Sequence, residues 1–571
     1  MRKAKLKTFN ARRYLLLFAI FCVFMLLFSR AVQLQLLHAD FYNEEGSNRY
    51  IRTIEIPANR GVIKDRFGQA LAISTPVYSI WAHPKTALEN PESIAYAANV
   101  MGLNSVQLTK KLQKRKDKQF VYLKRHAHPE VAERLRKQKT PGISLVREYR
   151  RYYPAGEMAG HIVGLTNIDD QGLEGIELAY DDWLHGEPGK KRVIKNGYGT
   201  IVAEIDLVQQ SRPGKNLNLS IDKRIQYLAY RELKRTVKNH AASAGSVVVL
   251  SVDTGEVLAM VNLPAFNPND RSNAKYNSIR NRAITDVFEP GSTVKPFLVA
   301  AALDSGAYQF GSKVDTTPGY FNVAGLKVSD YRNYGVINFQ TILAKSSNVG
   351  AVKVALNIDE EVVWGQYQAV GFGQLTGSGF PGERDGKLDS YTIWSKTQRA
   401  TMAYGYGLST TAMQLARAYS VIANDGVLMP ASFIVNERPV SGQRVMTKRT
   451  ARAVREMLQG VLDESGTGSR ASLQNYSAAG KTGTSRKAQS GGYSEDNYIA
   501  LFAGMAPATV PKIVVVTLID QPLKQEGYYG GEVAAPLFAK VAEGSLRLMN
   551  VPPDMFKQNS NDSMLVSVRE K

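Results

Sequence analysis

Six cations and no acid stand ahead of a long apolar run, and no other stretch limits so strongly what this chain can fold into. Arg2, Lys3, Lys5, Lys7, Arg12 and Arg13 come first, then Tyr14 to Phe28 without a break. Ser29 and Arg30 interrupt the run, and Ala31, Val32, Leu34, Leu36 and Leu37 resume it. Tyr14 to Leu37 exceeds the ~20 residues that a bilayer crossing needs. Arg30 falls near one end, where its stem can carry the charge to the interface. The cationic flank predicts an N-terminus held in the cytoplasm and an exported remainder. A cleaved signal is the main rival, because the uninterrupted core is short and Ser29-x-Ala31 offers a small-x-small cleavage site. The retained anchor is the preferred reading, and a buried core helix fits worst after so many cations.

The 571 residues amount to roughly three to four domains' worth of length at ~150 each. Ordinary apolar and charged fractions exclude a disordered or collagenous chain. Lys plus Arg reach 72 against 51 acids, a net charge of +21 that suits an anionic neighbourhood without choosing one. Cys22 stands alone, so no internal disulfide forms, and no metal-ligand pattern or cofactor motif stands out. Between Lys110 and Lys139 twelve cations face three acids. This stretch is read as a solvated helical face with Val131 and Leu135 inward, in preference to an anion-binding surface. Nucleic acid is set aside, since no aromatic platform accompanies the charge and the segment lies outside the cytoplasm.

The pass along the chain gives a tail (1–13), an anchor (14–37), a polar stalk (Ala39 to Tyr50), a compact region over 51–208 and a second domain over 216–550. Residues 551–571 form a flexible tail. Gly245 to Met260 reads as a hairpin about Asp253-Thr254-Gly255, and Tyr498 to Met505 with Lys512 to Ile519 as a further strand pair. Helical patterns lie between, at Pro296 to Leu303, Val349 to Leu356 and Met413 to Ala423. The fold class is therefore α/β (α+β), with an antiparallel sheet covered by helices.

A serine hydroxyl is a weak nucleophile until a neighbour takes its proton, and a lysine three residues on can do so from the same helix face. Ser-x-x-Lys occurs at Ser220/Lys223, Ser272/Lys275 and Ser292/Lys295. Only Ser292 follows a turn, Glu289-Pro290-Gly291, and opens an apolar helix, where free N–H groups favour developing negative charge. Ser220 reads as a helix cap and Ser272 as loop. Two further elements each match once: Ser346-Ser347-Asn348, and Lys481-Thr482-Gly483-Thr484 after small residues. That set in that order is the one shared by penicillin-binding proteins and serine β-lactamases.

The chain resembles the class B penicillin-binding proteins, most closely the septal peptidoglycan D,D-transpeptidases of Gram-negative bacteria. The resemblance rests on Asn281-Arg282-Ala283, Glu289 to Pro296, Ser346 to Gly350, Tyr404-Gly-Tyr-Gly407 and Tyr528-Tyr-Gly-Gly531. Earlier in the chain it includes Arg60-Gly61, Asp65-Arg66, Gly172 to Glu177 and Tyr180-Asp181. It implies a single-pass inner-membrane protein with an elongated non-catalytic pedestal and a periplasmic transpeptidase domain. The implied ligands are peptidoglycan stem peptides and β-lactams, and the implied partners are division proteins, a membrane glycosyltransferase among them.

Residue by residue, the resemblance implies Ser292 as nucleophile and Lys295 as base, with Lys481 the cation that lowers its pKa. Ser346 would relay the proton and Asn348 would hold Lys295 and a substrate amide. Thr482 and Thr484 would bind the terminal carboxylate, and Gly483 would let substrate lie along the strand. The N–H groups of Ser292 and Thr484 would form an oxyanion hole. Tyr404 and Tyr406 are left open between groove and packing, and Arg60, Asp65, Arg66 and Glu177 are expected to hold the pedestal by ion pairs. Two other classes stay in view: a D,D-carboxypeptidase or hydrolase sharing the acyl-enzyme, and a non-enzymatic β-lactam sensor or scaffold.

Overall fold

The structure, a computed structural model, describes residues 10–138, 140–196, 201–272, 276–489 and 492–555. Arg2, Lys3, Lys5, Lys7, Lys139, Lys275 and the tail from 556 lie outside the described residues. Helix α1 (Asn10–Val32) runs into a π turn at Gln33–Leu37, and none of its residues is buried. Among the described residues, Asn10–Leu37 is the one helix long and apolar enough to cross a membrane. The expected stalk is a helix instead, Ala39–Tyr50, with Asp40 in the first turn where the helix dipole favours an anion.

The chain folds into two compact units that interleave along the sequence, where the sequence suggests consecutive blocks. One takes in the chain up to Asn59 with Thr75–Arg150 and Gly186–Pro213. Its core gathers Ile80, Ile94, Leu112, Val121 and Leu135. Leu135 is buried on the helix Pro129–Gln138 and Val131 packs beside it, as a solvated basic face requires. Lys111 and Lys124 donate to the carbonyls of Tyr122 and Met101, at 2.8 and 2.7 Å. A separate antiparallel sheet joins Ile51–Ile56, Gly189–Lys195 and Ile201–Gln209, the last exposed along its whole length.

The other unit holds Arg60–Ser74, Arg151–His185 and the chain from Gly214 onward. It therefore includes Arg60, Asp65 and Glu177, which the sequence places in the pedestal. Arg60 and Arg151 grip opposite oxygens of Glu177, at 2.7 and 2.6 Å, and all three side chains are almost wholly buried. Arg60 also reaches Asp181 at 2.7 Å. Burial alone would lower the Arg60 guanidinium, but Glu177 and Asp181 outweigh it and hold its pKa above the usual range. Asp65 instead ties a turn, accepting from the N–H groups of Phe67 and Gln69.

Five antiparallel strands form the centre of this unit: β1 (Ala244–Ser251), β2 (Val257–Leu263), β3 (Ala479–Gln489), β4 (Gly492–Ala506) and β5 (Ile513–Asp520). Their order is β2-β1-β5-β4-β3, so the Lys-Thr-Gly strand is an edge. The strands β1, β2 and β5 are near-continuous runs of buried apolar residues, as strands covered on both sides must be. Helices Lys223–Asn239 and Gly530–Leu548 pack on each other and on the sheet, and Ala412–Ala423 packs on β1 and β5. Asp222, not Ser220, caps the helix Lys223–Asn239. Ser220 is buried and donates to the carbonyl of Val257, because the chain is still extended there. Ser272 is a loop residue bonded to Asp270, as expected.

Candidate active site

Pro290 and Gly291 turn the chain, with Gly291 at a positive φ of 55°. Ser292 then lies in a 3-10 turn, Gly291–Val294, that leads straight into the helix Lys295–Asp304. Two hydroxyls fix this turn. Thr293 donates to the carbonyl of Pro290 at 2.7 Å, and Tyr419 donates to that of Thr293 at 2.8 Å. The Gly291 N–H donates to the carbonyl of Gly405 at 3.1 Å. A Cβ on Gly405 would stand 2.1 Å from the Gly291 carbonyl oxygen, so only glycine admits this approach. That accounts for the Tyr-Gly-Tyr-Gly stretch: the backbone at Gly405 backs the nucleophile turn. Tyr406 stacks edge-on with Tyr493 and accepts from the N–H of Arg486.

Lys295 is fully buried. Its ammonium donates to the carbonyl of Ser346 at 2.6 Å, to Asn348 Oδ1 at 2.7 Å and, at 3.3 Å, to the Ser346 hydroxyl. No carboxylate is among these partners. Burial drives its pKa well below the lysine range and the charge of Lys481 drives it further, with Asp330 pulling the other way. None of the three bonds goes to Ser292. The nucleophile instead lines the same cavity as Ser346 and Asn348, and the residue is half-buried.

Ser346 occupies an unusual backbone position. The helix Phe339–Ala344 ends with the Ser346 N–H donating to Leu343 and the Ser347 N–H to Ile342, a Schellman turn. Its left-handed residue, ordinarily glycine, is Ser346 at φ 57°. That conformation costs an L-residue about 1 kcal/mol or more, and here it sets a hydroxyl beside the lysine. Ser347 caps the next helix, Asn348–Leu356, by accepting from the Gly350 N–H at 2.9 Å. Asn348 is therefore not the cap, which leaves its side chain for Lys295. Asp330 holds the whole junction. Its carboxylate accepts from the Ser347 hydroxyl and the Asn348 N–H, both at 2.5 Å, and from the Val349 N–H at 3.0 Å.

The third segment arrives on edge strand β3, paired to β4 with Lys481 opposite Ala503 and Thr484 opposite Ala500. Lys481 is fully buried, and its ammonium donates to the Thr482 carbonyl at 3.2 Å and hydroxyl at 3.3 Å. Burial lowers its pKa to about 7. Thr482 donates to the hydroxyl of Thr467 at 2.9 Å. Thr484 accepts from the Gly530 N–H at 2.9 Å, which leaves its own proton to donate to a ligand. A Cβ on Gly483 would lie 2.9 Å from the Thr293 methyl and 3.0 Å from the Pro290 oxygen. Its missing side chain makes room for the nucleophile turn.

Ser292, Ser346, Asn348, Thr482 and Thr484 all line one cavity of about 450 Å³, with Asp330 among its walls. Lys295 and Lys481 are buried in contact with residues of that wall. The structure thus gathers all three distant stretches. Sequence reasoning missed Asp330 and Thr467, which carry no motif and reach the site only through tertiary folding. It also gave no role to Glu289. That carboxylate accepts from the Gly407 N–H at 2.9 Å and the Tyr493 hydroxyl at 3.1 Å, and burial raises its pKa.

Residues 245–543 match the penicillin binding protein transpeptidase domain, and residues 55–219 match the penicillin-binding protein dimerisation domain. The peptidoglycan D,D-transpeptidase FtsI of Escherichia coli strain K12 is 39% identical over 564 residues, covering 97% of this chain and 95% of that protein. The probable peptidoglycan D,D-transpeptidase PenA of Neisseria meningitidis serogroup A is 40% identical over 551 residues, covering 96% and 94%. Among solved structures, penicillin binding protein 3 of Mycobacterium tuberculosis, complexed with aztreonam, aligns with a TM-score of 0.69 at 27% identity. That alignment covers 88% of this chain and 98% of the other.

Proposed function

We infer the activity from a plain premise: the chain belongs to the penicillin-binding protein transpeptidase family. It is a serine-type peptidoglycan D,D-transpeptidase that binds β-lactams. One observation carries the assignment of its machinery. A fully buried lysine with no carboxylate partner is bonded to Ser346 and Asn348, at the wall of the cavity that Ser292 lines.

In this reading Ser292 Oγ attacks the carbonyl between the two terminal D-alanines of a stem peptide. Lys295, neutral because it is buried beside another lysine, takes the hydroxyl proton. The N–H groups of Ser292 and Thr484 receive the developing oxyanion, each donor worth ~3 kcal/mol of barrier. Lys481 and the Thr484 hydroxyl hold the terminal carboxylate, with Thr482 and Gly483 shaping the strand beneath it. The C–N bond breaks, the proton passes through Ser346 to the leaving nitrogen, and D-alanine departs. An amine on a neighbouring stem then attacks the acyl carbon. Its proton returns through the same pair to Ser292, and a crosslink is closed. No step calls for a cofactor.

In chain order the layout is read as tail 1–13, anchor 14–37, pedestal 51–208, transpeptidase domain 216–550 and tail 551–571, with Arg60–Ser74 and Arg151–His185 packing in the unit that holds Ser292. The cationic flank supports an inner-membrane anchor with the catalytic domain in the periplasm. Crosslinking at the division septum, alongside division proteins that include a membrane glycosyltransferase, rests on the family resemblance.

The full-length protein treated with fluorescent penicillin, then digested, is expected to carry its adduct on the Ser292 peptide. Label on any other peptide, or undiminished label in Ser292→Ala, defeats the site assignment. Incubation with a D-Ala-D-Ala stem peptide and an amine acceptor separates the activities. Crosslinked dimer supports transpeptidation, hydrolysed monomer alone supports a carboxypeptidase, and no turnover by unlabelled enzyme of a preparation that penicillin does acylate supports a sensor.

A further inference from the structure

Glu289 stands three residues ahead of Ser292 and is not among the residues that line its cavity, so any part it plays passes through the chain. Its segment is pinned to the stretch over 405–410. Phe288 and Thr410 exchange both N–H···O bonds at 2.9 Å, and the Gly291 N–H reaches the Gly405 carbonyl at 3.1 Å. Between these ties, Glu289 Oε1 accepts from the Gly407 N–H at 2.9 Å. The same oxygen also accepts from the Tyr493 hydroxyl at 3.1 Å. Tyr493 lies on β4, in register with Ala488 of β3. Burial and the charge of Glu289 both raise the Tyr493 pKa, which keeps that hydroxyl a donor.

One carboxylate oxygen therefore joins three pieces of chain: the segment that ends in Ser292, the loop behind it, and the strand pair that carries Lys481 and Thr484. Tyr406 closes the group. Its ring stands edge-on to Tyr493 with centroids 5.5 Å apart, and its hydroxyl accepts from the N–H of Arg486 on β3. The other oxygen of Glu289, Oε2, is buried with no hydrogen-bond partner. An acid satisfied on one side only is a costly brace. An acceptor shared by the two sides of a reacting centre, however, sets their spacing. Ser292 and the oxyanion-hole N–H of Thr484 lie on those two sides, and a displacement of about 1 Å between such groups costs about 10²-fold in rate.

We propose that Glu289 is a positioning residue for acyl transfer: its Oε1, shared between Gly407 and Tyr493, sets the Ser292 turn against the strand that carries Thr484. The inference rests on the reading of Ser292 as nucleophile and deepens it.

The test is the rate at which fluorescent penicillin acylates the full-length protein in detergent, expressed per molecule that labels exhaustively, with the labelled peptide mapped. Glu289→Met keeps the bulk and removes the acceptor, and should slow acylation at least tenfold. Glu289→Gln keeps the acceptor and should stay within threefold of the parent. Tyr493→Phe removes one donor and should slow acylation at least threefold. Combined with Glu289→Met it should add nothing, because both act through one bond. A parental rate in Glu289→Met, a Glu289→Gln as slow as Glu289→Met, or losses that multiply in the double variant overturns the inference while Ser292 still carries the label. Label away from Ser292 in the parent overturns the site reading, and this inference with it. Should Glu289→Met fail to melt cooperatively, Tyr493→Phe decides: slowed acylation at Ser292 upholds the link, and an unchanged rate overturns it.

Discussion

The chain buries basic side chains in two ways, and the contrast separates scaffold from chemistry. Around Glu177, two guanidiniums share one carboxylate, with Asp181 adding a second anion to Arg60. Every charge has its opposite at hydrogen-bond distance, and Arg60 is held in its charged form. Around Ser346, Lys295 and Lys481 are equally buried, yet their hydrogen bonds go to hydroxyls, carbonyls and an amide. Neither ammonium is bonded to a carboxylate, Asp330 offsets the burial of Lys295 only in part, and both lysines shift towards the neutral form. A buried cation with a counterion is a brace. A buried cation without one is a group whose proton can be moved.

The largest expected effect falls on the uncompensated pair. Lys295→Ala should slow acylation by fluorescent penicillin about 10²–10⁴-fold, the span of a lost general base, with an unchanged circular dichroism spectrum. Normal acylation would break the contrast, since Lys295 would then be a brace as well. The compensated cluster should respond in the opposite way. Glu177→Gln strands two buried guanidiniums, and removing one partner of a buried pair costs about 3–5 kcal/mol. Its melting temperature should fall steeply while acylation per folded molecule stays near normal. A collapse of acylation in a fully folded variant would make Glu177 part of the chemistry.

A third expectation concerns pH. Lys481 titrates near 7 when folded and near its ordinary 10.5 when unfolded. Between those values the unfolded chain binds the extra proton, so stability rises with pH across that window. Lys295, whose pKa burial also lowers, acts with the same sign. Lys481→Met should flatten the rise in melting temperature between pH 7 and pH 9.5, and an unaltered slope would mean that the lysine is charged in the fold. The smallest effect sharpens the comparison at the backbone. Ser346→Gly relieves the left-handed strain and should raise stability by about 1 kcal/mol while lowering acylation. A variant less stable than the parent would show that the hydroxyl, and not the turn, governs that position.

The catalytic stretches were legible because each carries its own local signal. Glu289-Pro290-Gly291 marks the turn, the apolar run after Ser292 marks the helix, and small residues mark the strand at Lys481. The strand pairs and the helices after Lys295, Ser347 and Thr411 were readable from periodicity. What escaped has no local signature. Asp330 earns its place only because a hairpin end meets a helix junction folded from later chain. Ser347 serves as the cap because the Schellman turn before it fixes where the helix begins. Ala39–Tyr50 looked like a stalk since its polar residues obscure a helix that needs no apolar stripe. The sequence also suggests consecutive domains, whereas Arg60 and Glu177 join the unit that holds Ser292, a fact of long-range contact alone.

The glycine seams have a consequence for how such a protein can change under antibiotic selection. Gly405 lies against the backbone of Gly291, Gly483 against that of Pro290, and Gly530 within 2.3 Å of the Gly483 oxygen for any added Cβ. At these three seams behind the reactive serine the glycines lie too close to their neighbours for a side chain, so a new one there has nowhere to go. Variants that evade an inhibitor yet keep building wall must therefore arise farther out, along the rim, where bulk can be gained without shifting the turn that carries Ser292.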